Sequence, residues 1–83
     1  MASYTVFGFY GCSSCERALR LLEEKHCVVS TMLVPHIGWR DALTTVKSRV
    51  GGQAVRAHTT SPLIFANGRY VGGYAQLAAL ISP

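Results

Sequence analysis

The chain has no uninterrupted apolar stretch long enough to cross a bilayer, which excludes a helical membrane span. Its start, Met1-Ala2-Ser3-Tyr4-Thr5, has no basic n-region and no long apolar core, so no signal peptide is expected. Basic residues do not gather into a run. Arg17, Arg20 and Lys25 belong to one segment, while Lys47, Arg49, Arg56 and Arg69 are spread over the rest. Nothing here resembles a nucleic-acid arm. The net charge of +4 reads as a mildly basic surface, or as attraction to anionic small molecules or acidic protein partners. Cysteine is scarce and odd in number. Of the three, two lie too close together to staple distant elements, which argues against a secreted disulfide framework. A reducing, cytoplasmic compartment and a monomer are expected. There is no repeat, no low-complexity segment and no linker. The 83 residues make one domain, 1–83, and 49% apolar content supports a core without disulfide staples.

What is present is concentrated at Cys12-Ser13-Ser14-Cys15. This stretch follows an extended run at 3–9, where Tyr4, Val6, Phe7 and Phe9 favour a strand. A helical period follows it. Cys15, Ala18, Leu19, Leu22 and His26 fall on one face, with Glu16, Arg17, Glu23, Glu24 and Lys25 facing out. Residues 28–34 read as a second strand, buried on both faces, and 35–38 as a break. Trp39, Ala42, Leu43, Val46 and Val50 share the face of a second helix, which Gly51-Gly52 stops. Residues 53–61 read as polar and irregular. Residues 63–66 and 69–71 read as short strands around an Asn67-Gly68 hairpin turn. Gly72-Gly73 ends the hairpin, and Tyr74, Leu77, Ala78 and Ile81 line a last helix. The order βαβαββα makes the first two strands parallel through a right-handed crossover and the closing hairpin antiparallel. The expected fold class is α/β, with a mixed four-stranded sheet flanked by three helices.

Two thiols at a strand-to-helix junction can close a small disulfide or share one stabilised thiolate. Cys12 would sit at a helix N-terminus, where unpaired N–H groups and the helix dipole favour an anion. Cys15, one turn in and on the apolar face, would keep its proton. Cys12 would then attack a disulfide and Cys15 would resolve the mixed disulfide. A zinc half-site is a rival reading, but no second Cys-x-x-Cys and no His-x-x-x-His supplies the remaining ligands. Two inert buried cysteines are another, against which the polar Ser13-Ser14 spacer counts. Cys27 reads as a small buried hydrophobe rather than a regulatory thiol.

Three further features bear on a site. Thr60-Ser61-Pro62 precedes the third strand. Residue type alone favours an ordinary trans proline there, whereas a cis bond would free backbone groups for an extended peptide-like ligand. Gly72-Gly73 can bring N–H groups close to a ligand carboxylate, or can serve only as a turn. His58 reads as a solvent-exposed loop histidine, the other reading being a carboxylate-binding group near the site.

Taken in order, Cys12-Ser13-Ser14-Cys15, then Thr60-Ser61-Pro62, a strand, Asn67-Gly68, a strand and Gly72-Gly73 resemble the glutaredoxin pattern C-x-x-C, T-V-P, N/D-G and G-G. The resemblance covers nearly the whole chain. It implies a compact thioredoxin-like fold and a dithiol enzyme that reduces protein disulfides or glutathione mixed disulfides, with glutathione as reductant. It implies Cys12 as nucleophile and Cys15 as resolving thiol. The Ser61 backbone would pair with the cysteinyl part of glutathione, beside Thr60 and a cis Pro62. Gly73 and Tyr74 would offer N–H groups to the γ-glutamyl carboxylate behind Gly72, and Tyr10 would line the groove. No metal is expected, although in relatives a non-proline spacer like Ser13-Ser14 sometimes accompanies a glutathione-ligated iron–sulfur cluster between two chains. The pattern is departed from at Phe9, where a lysine is usual, at Ala75, where an acid is usual, at Leu63, where a polar residue is common, and at the spacer. Phe9 and Ala75 also fit an electron donor recycled by a thioredoxin-type reductase.

Overall fold

The structure is a computed structural model and describes residues 2–81. Strand β1 (Ser3–Phe9) leads into helix α1 (Ser13–Glu24), strand β2 (Val28–Val34) and a single 3₁₀ turn at His36–Gly38. Helix α2 (Trp39–Val50), a short helix α3 (Gln53–Ala57), strands β3 (Leu63–Ala66) and β4 (Arg69–Gly72), and helix α4 (Tyr74–Ile81) complete the chain. The strands lie in the order β2-β1-β3-β4. β1 pairs with β2 in parallel, from Ser3 opposite Val28 to Phe9 opposite Val34. It pairs with β3 antiparallel, from Tyr4 opposite Ala66 to Phe7 opposite Leu63. β3 and β4 are antiparallel, with a register shift between Ile64 and Phe65.

Side chains alternate across β1 and β3, so each strand feeds two cores. Tyr4, Val6 and Ile64 meet Ala18 and Leu22 of α1 and Leu77 of α4 on one face. Phe7, Leu63 and Phe65 meet Trp39, Leu43 and Val55 of α2 and α3 on the other. The mixed sheet and its parallel β1–β2 pair are as expected. The hairpin is too: Asn67 (φ 51°) and Gly68 (φ 80°) both take the positive φ of a type I′ turn. Asn67 also ties this turn to β1, since Ser3 N–H donates to its Oδ1 at 2.9 Å and its own N–H donates to Ser3 O at 2.7 Å.

Several local expectations are corrected. β2 is an edge strand with one neighbour, so it is not buried on both faces; Val28 and Met32 are each 53% exposed. His26 does not continue the apolar face of α1. It takes φ 56°, its N–H donates to Glu23 O and that of Cys27 to Leu22 O, which closes the helix as a Schellman turn. Cys27 is half-buried rather than buried. Val50 ends α2 beyond the sheet and is exposed. The segment 53–61 is not wholly irregular. It contains α3, whose Val55 plugs the second core, making a fourth helix beside the three expected. One buried residue in a five-residue helix carries no period, which is why this helix is silent in the sequence.

Candidate active site

Gly11 (φ 84°) turns the chain out of β1 so that Cys12 becomes the N-cap of α1. Its sulfur does what a capping oxygen does elsewhere: the Cys15 backbone N–H donates to Cys12 Sγ at 3.1 Å. Cys15 lies one turn on and is buried against the sheet. Burial pushes the Cys12 pKa up. Hydrogen bonds from the Cys15 and Ser61 side chains and from backbone N–H groups at Cys15 and Ser14 outweigh it, leaving Cys12 below the ordinary thiol value. Burial dominates at Cys15, and with the adjacent Cys12 it raises that thiol to about 11. The two sulfurs of one motif are thus pushed apart.

The second half of the site arrives from the segment before β3. The Ser61–Pro62 peptide is cis, against the trans geometry that residue type alone favoured and as the resemblance implied. Pro62 is fully buried. Ser61 contributes more than backbone. Its Oγ stands 3.0 Å from Cys15 Sγ and 3.3 Å from Cys12 Sγ, and accepts the Phe9 N–H at 3.3 Å. The Cys12 thiol can in addition donate to Ser61 O, 3.6 Å away. Space for this cluster comes from Gly8. A Cβ there would overlap Cys15 Sγ and stand 2.7 Å from Ser61 Oγ.

His58 is not a solvent-exposed loop histidine. It is 9% exposed and sits behind the proline. Its Nε2 faces Thr60 O at 2.7 Å and Pro62 O at 3.0 Å, and two carbonyls require that nitrogen to carry hydrogen. Nδ1 then accepts from the Tyr70 hydroxyl at 2.8 Å. Lys47 Nζ donates to His58 O at 2.7 Å. The segment carrying Ser61 is pinned on both sides of the cis bond.

Cys12, Cys15, Ser61 and Pro62 therefore come together, with Thr60 exposed at their edge. Gly72 and Gly73 lie behind them; a Cβ on Gly73 would be 3.6 Å from Pro62 O. The Gly73 N–H is not free for a ligand, however. It donates to Gln76 Oε1 at 2.9 Å, a side chain reaching back to cap its own helix. Tyr74 packs against the first core and lines a surface groove with Arg17, Arg20 and Leu21 of α1. The Tyr10 ring is 62% exposed, just before the motif. Phe9, where the resemblance expected a lysine, stacks edge-on to His36 and Trp39. Two open grooves flank the Thr59-Thr60 segment. One, about 470 Å³, runs along α2 past Trp39, Arg40 and Lys47; the other, about 310 Å³, passes His58, Tyr70 and Gln76. Among the described residues no group of three or more His, Cys, Asp or Glu side chains could hold a metal ion. None of the described helices is long and apolar enough to cross a membrane.

Sequence reasoning missed Gly8, Gln76 and the Ser61 hydroxyl, and placed His58 on an exposed loop. Two of these left a signal: a serine stands where the T-V-P pattern has valine, and Gln76 stands three residues after Gly73.

A helix-capping thiol beside a buried one, held against a cis-proline on a sheet of this topology, defines a thiol–disulfide oxidoreductase of the thioredoxin fold. No family model matches the chain. It is 31% identical over 81 residues to the probable glutaredoxin of Acanthamoeba polyphaga mimivirus, covering 92% of this chain and 74% of that protein. The crystal structure of glutaredoxin 1 from Francisella tularensis, complexed with cacodylate, shares the fold with a TM-score of 0.78. The match covers 95% of this chain and 91% of that one at 20% identity. The chain belongs to the glutaredoxin family.

Proposed function

We propose that the protein is a glutathione-dependent dithiol reductase of protein disulfides and glutathione mixed disulfides. The observation that carries this reading is the split between the two sulfurs. Cys12 is lowered and capped by the Cys15 N–H, and Cys15 is raised to about 11. Cys12 thiolate attacks a disulfide, bonds one sulfur and releases the other as a thiolate. Cys15 gives up its proton, attacks Cys12 Sγ and expels the second thiolate, leaving a Cys12–Cys15 disulfide. One glutathione thiolate then attacks Cys12 Sγ and Cys15 leaves, regaining a proton. A second glutathione attacks the bound glutathione sulfur, releasing Cys12 thiolate and oxidised glutathione.

In this reading glutathione lies beside Thr60-Ser61-Pro62, its cysteinyl part paired with the Ser61 backbone. Its γ-glutamyl carboxylate meets the Tyr74 N–H at the start of α4, and the Gly73 N–H joins only when Gln76 turns away. With Phe9 in the lysine position, Arg40 in the groove along α2 supplies a cation for the glycyl carboxylate. Tyr10 offers an exposed ring to protein substrates. The chain acts as a monomer in a reducing cytoplasm, where the Cys12–Cys15 disulfide formed in turnover is returned to free thiols.

The Gln76 cap on Gly73 favours one second reading, in which glutathione binding is lost and a flavoprotein thioredoxin-type reductase recycles the dithiol. Turnover of a glutathione mixed disulfide separates the two. NADPH oxidation coupled through glutathione and glutathione reductase supports the first. Turnover with the flavoprotein reductase alone overturns it in favour of the second.

A further inference from the structure

The hydroxyl of Ser61 has one proton to give and two lone pairs to offer. The Phe9 N–H, 3.3 Å away, takes one lone pair. That leaves one donor and one acceptor for two sulfurs, at 3.3 Å for Cys12 and 3.0 Å for Cys15. In the reduced protein the proton goes to Cys12, the sulfur that carries charge, which leaves the remaining Ser61 lone pair as an acceptor facing Cys15 Sγ. The arrangement is built rather than incidental. Gly8 sits in the central strand, held by β2 and β3 on either side, and any Cβ there would displace both Cys15 Sγ and Ser61 Oγ.

We propose that the Ser61 hydroxyl is a positioning group for both thiols, turning its single proton toward whichever sulfur bears the negative charge. The proposal rests on the roles given above to Cys12 and Cys15. Before reaction, O–H points at Cys12 thiolate. Once Cys12 is bonded to a substrate sulfur it carries no charge, and Cys15 must lose its proton to attack. Rotation about the Cβ–Oγ bond then brings the same O–H to Cys15 Sγ. The Cys15 proton leaves to solvent, and the expelled substrate thiolate takes one up, so the step balances. The turn of the hydroxyl itself moves no heavy atom.

The test compares wild type with Ser61→Ala, which removes the hydroxyl, and Ser61→Thr, which keeps it. Iodoacetamide labelling of each cysteine is followed against pH by mass spectrometry, with a melting curve to confirm folding. Stopped-flow reaction with a small disulfide follows release of the second thiol. In Ser61→Ala the Cys12 midpoint should rise by about one pH unit, and resolution by Cys15 should slow about tenfold, the scale of one hydrogen bond to a charged sulfur. Ser61→Thr should stay close to wild type in both. An unchanged midpoint or an unchanged resolution rate in Ser61→Ala overturns the proposal, as does a threonine variant that shifts as far as alanine. A wild type in which Cys12 labels no more readily than Cys27 is a different result. It overturns the role of Cys12 itself, and this proposal with it.

Discussion

Replacing His58 with alanine should cost far more than a loop substitution. The ring makes three hydrogen bonds, to Thr60 O, Pro62 O and the Tyr70 hydroxyl. Thr60 is exposed, so water replaces the first at little cost. Pro62 is buried, and an orphaned carbonyl there costs about 1–3 kcal/mol. The half-buried Tyr70 hydroxyl adds about 0.5–1.5 kcal/mol. At about 4–8 °C per kcal/mol for a domain of this size, the midpoint of thermal unfolding should fall by roughly 6–36 °C. His58→Gln, which keeps a donor toward the carbonyls, should lose about half as much. Differential scanning calorimetry on the reduced protein gives both numbers. An alanine variant melting within about 3 °C of wild type would refute the view that His58 pins the cis-proline segment.

Gly8→Ala places a Cβ against Cys15 Sγ and Ser61 Oγ in a strand that cannot shift. It should destabilise by about 1–3 kcal/mol in thermal melts and cut disulfide reductase activity more than stability alone explains. The rate of disulfide attack should rise with pH and level off below the ordinary thiol value of 9.0, because the lowered Cys12 loses its proton first. Cys15, held near 11, should stay protonated across that range, so a pH–rate profile with a single ascending limb is the expected result. Gln76→Ala frees the Gly73 N–H, and the KM for glutathione should fall by up to about tenfold while the lost cap costs about 0.5–2 kcal/mol in a melt. A KM that rises instead would show that Gln76 itself contacts glutathione.

The sequence was most legible where one residue type has one structural use. Asn67-Gly68 announced its hairpin, the strand-favouring Tyr4, Val6, Phe7 and Phe9 marked β1 over 3–9, and Cys12-Ser13-Ser14-Cys15 marked the start of α1. It was least legible where position depends on neighbours remote in the chain. Residues 28–34 are apolar enough for a central strand, but nothing local says that β3 takes the other side of β1. His58 looks like a loop residue because its partners, Pro62 O and Tyr70, are brought to it only by the cis bond and the β3–β4 hairpin. The Ser61 hydroxyl reaches two sulfurs some fifty residues earlier only because Gly8 leaves room. Gln76 could have been read as a helix-capping side chain three residues after Gly73, and that spacing was there to be seen.

The central claim is that Cys12 is the attacking sulfur and Cys15 the resolving one. Its most direct test is to mix Cys15→Ser with oxidised glutathione and map the modified residue by mass spectrometry. The account predicts a stable mixed disulfide carrying one glutathione, on Cys12 alone. Glutathione trapped on Cys27, or no adduct while Cys12→Ser forms one on Cys15, would contradict it.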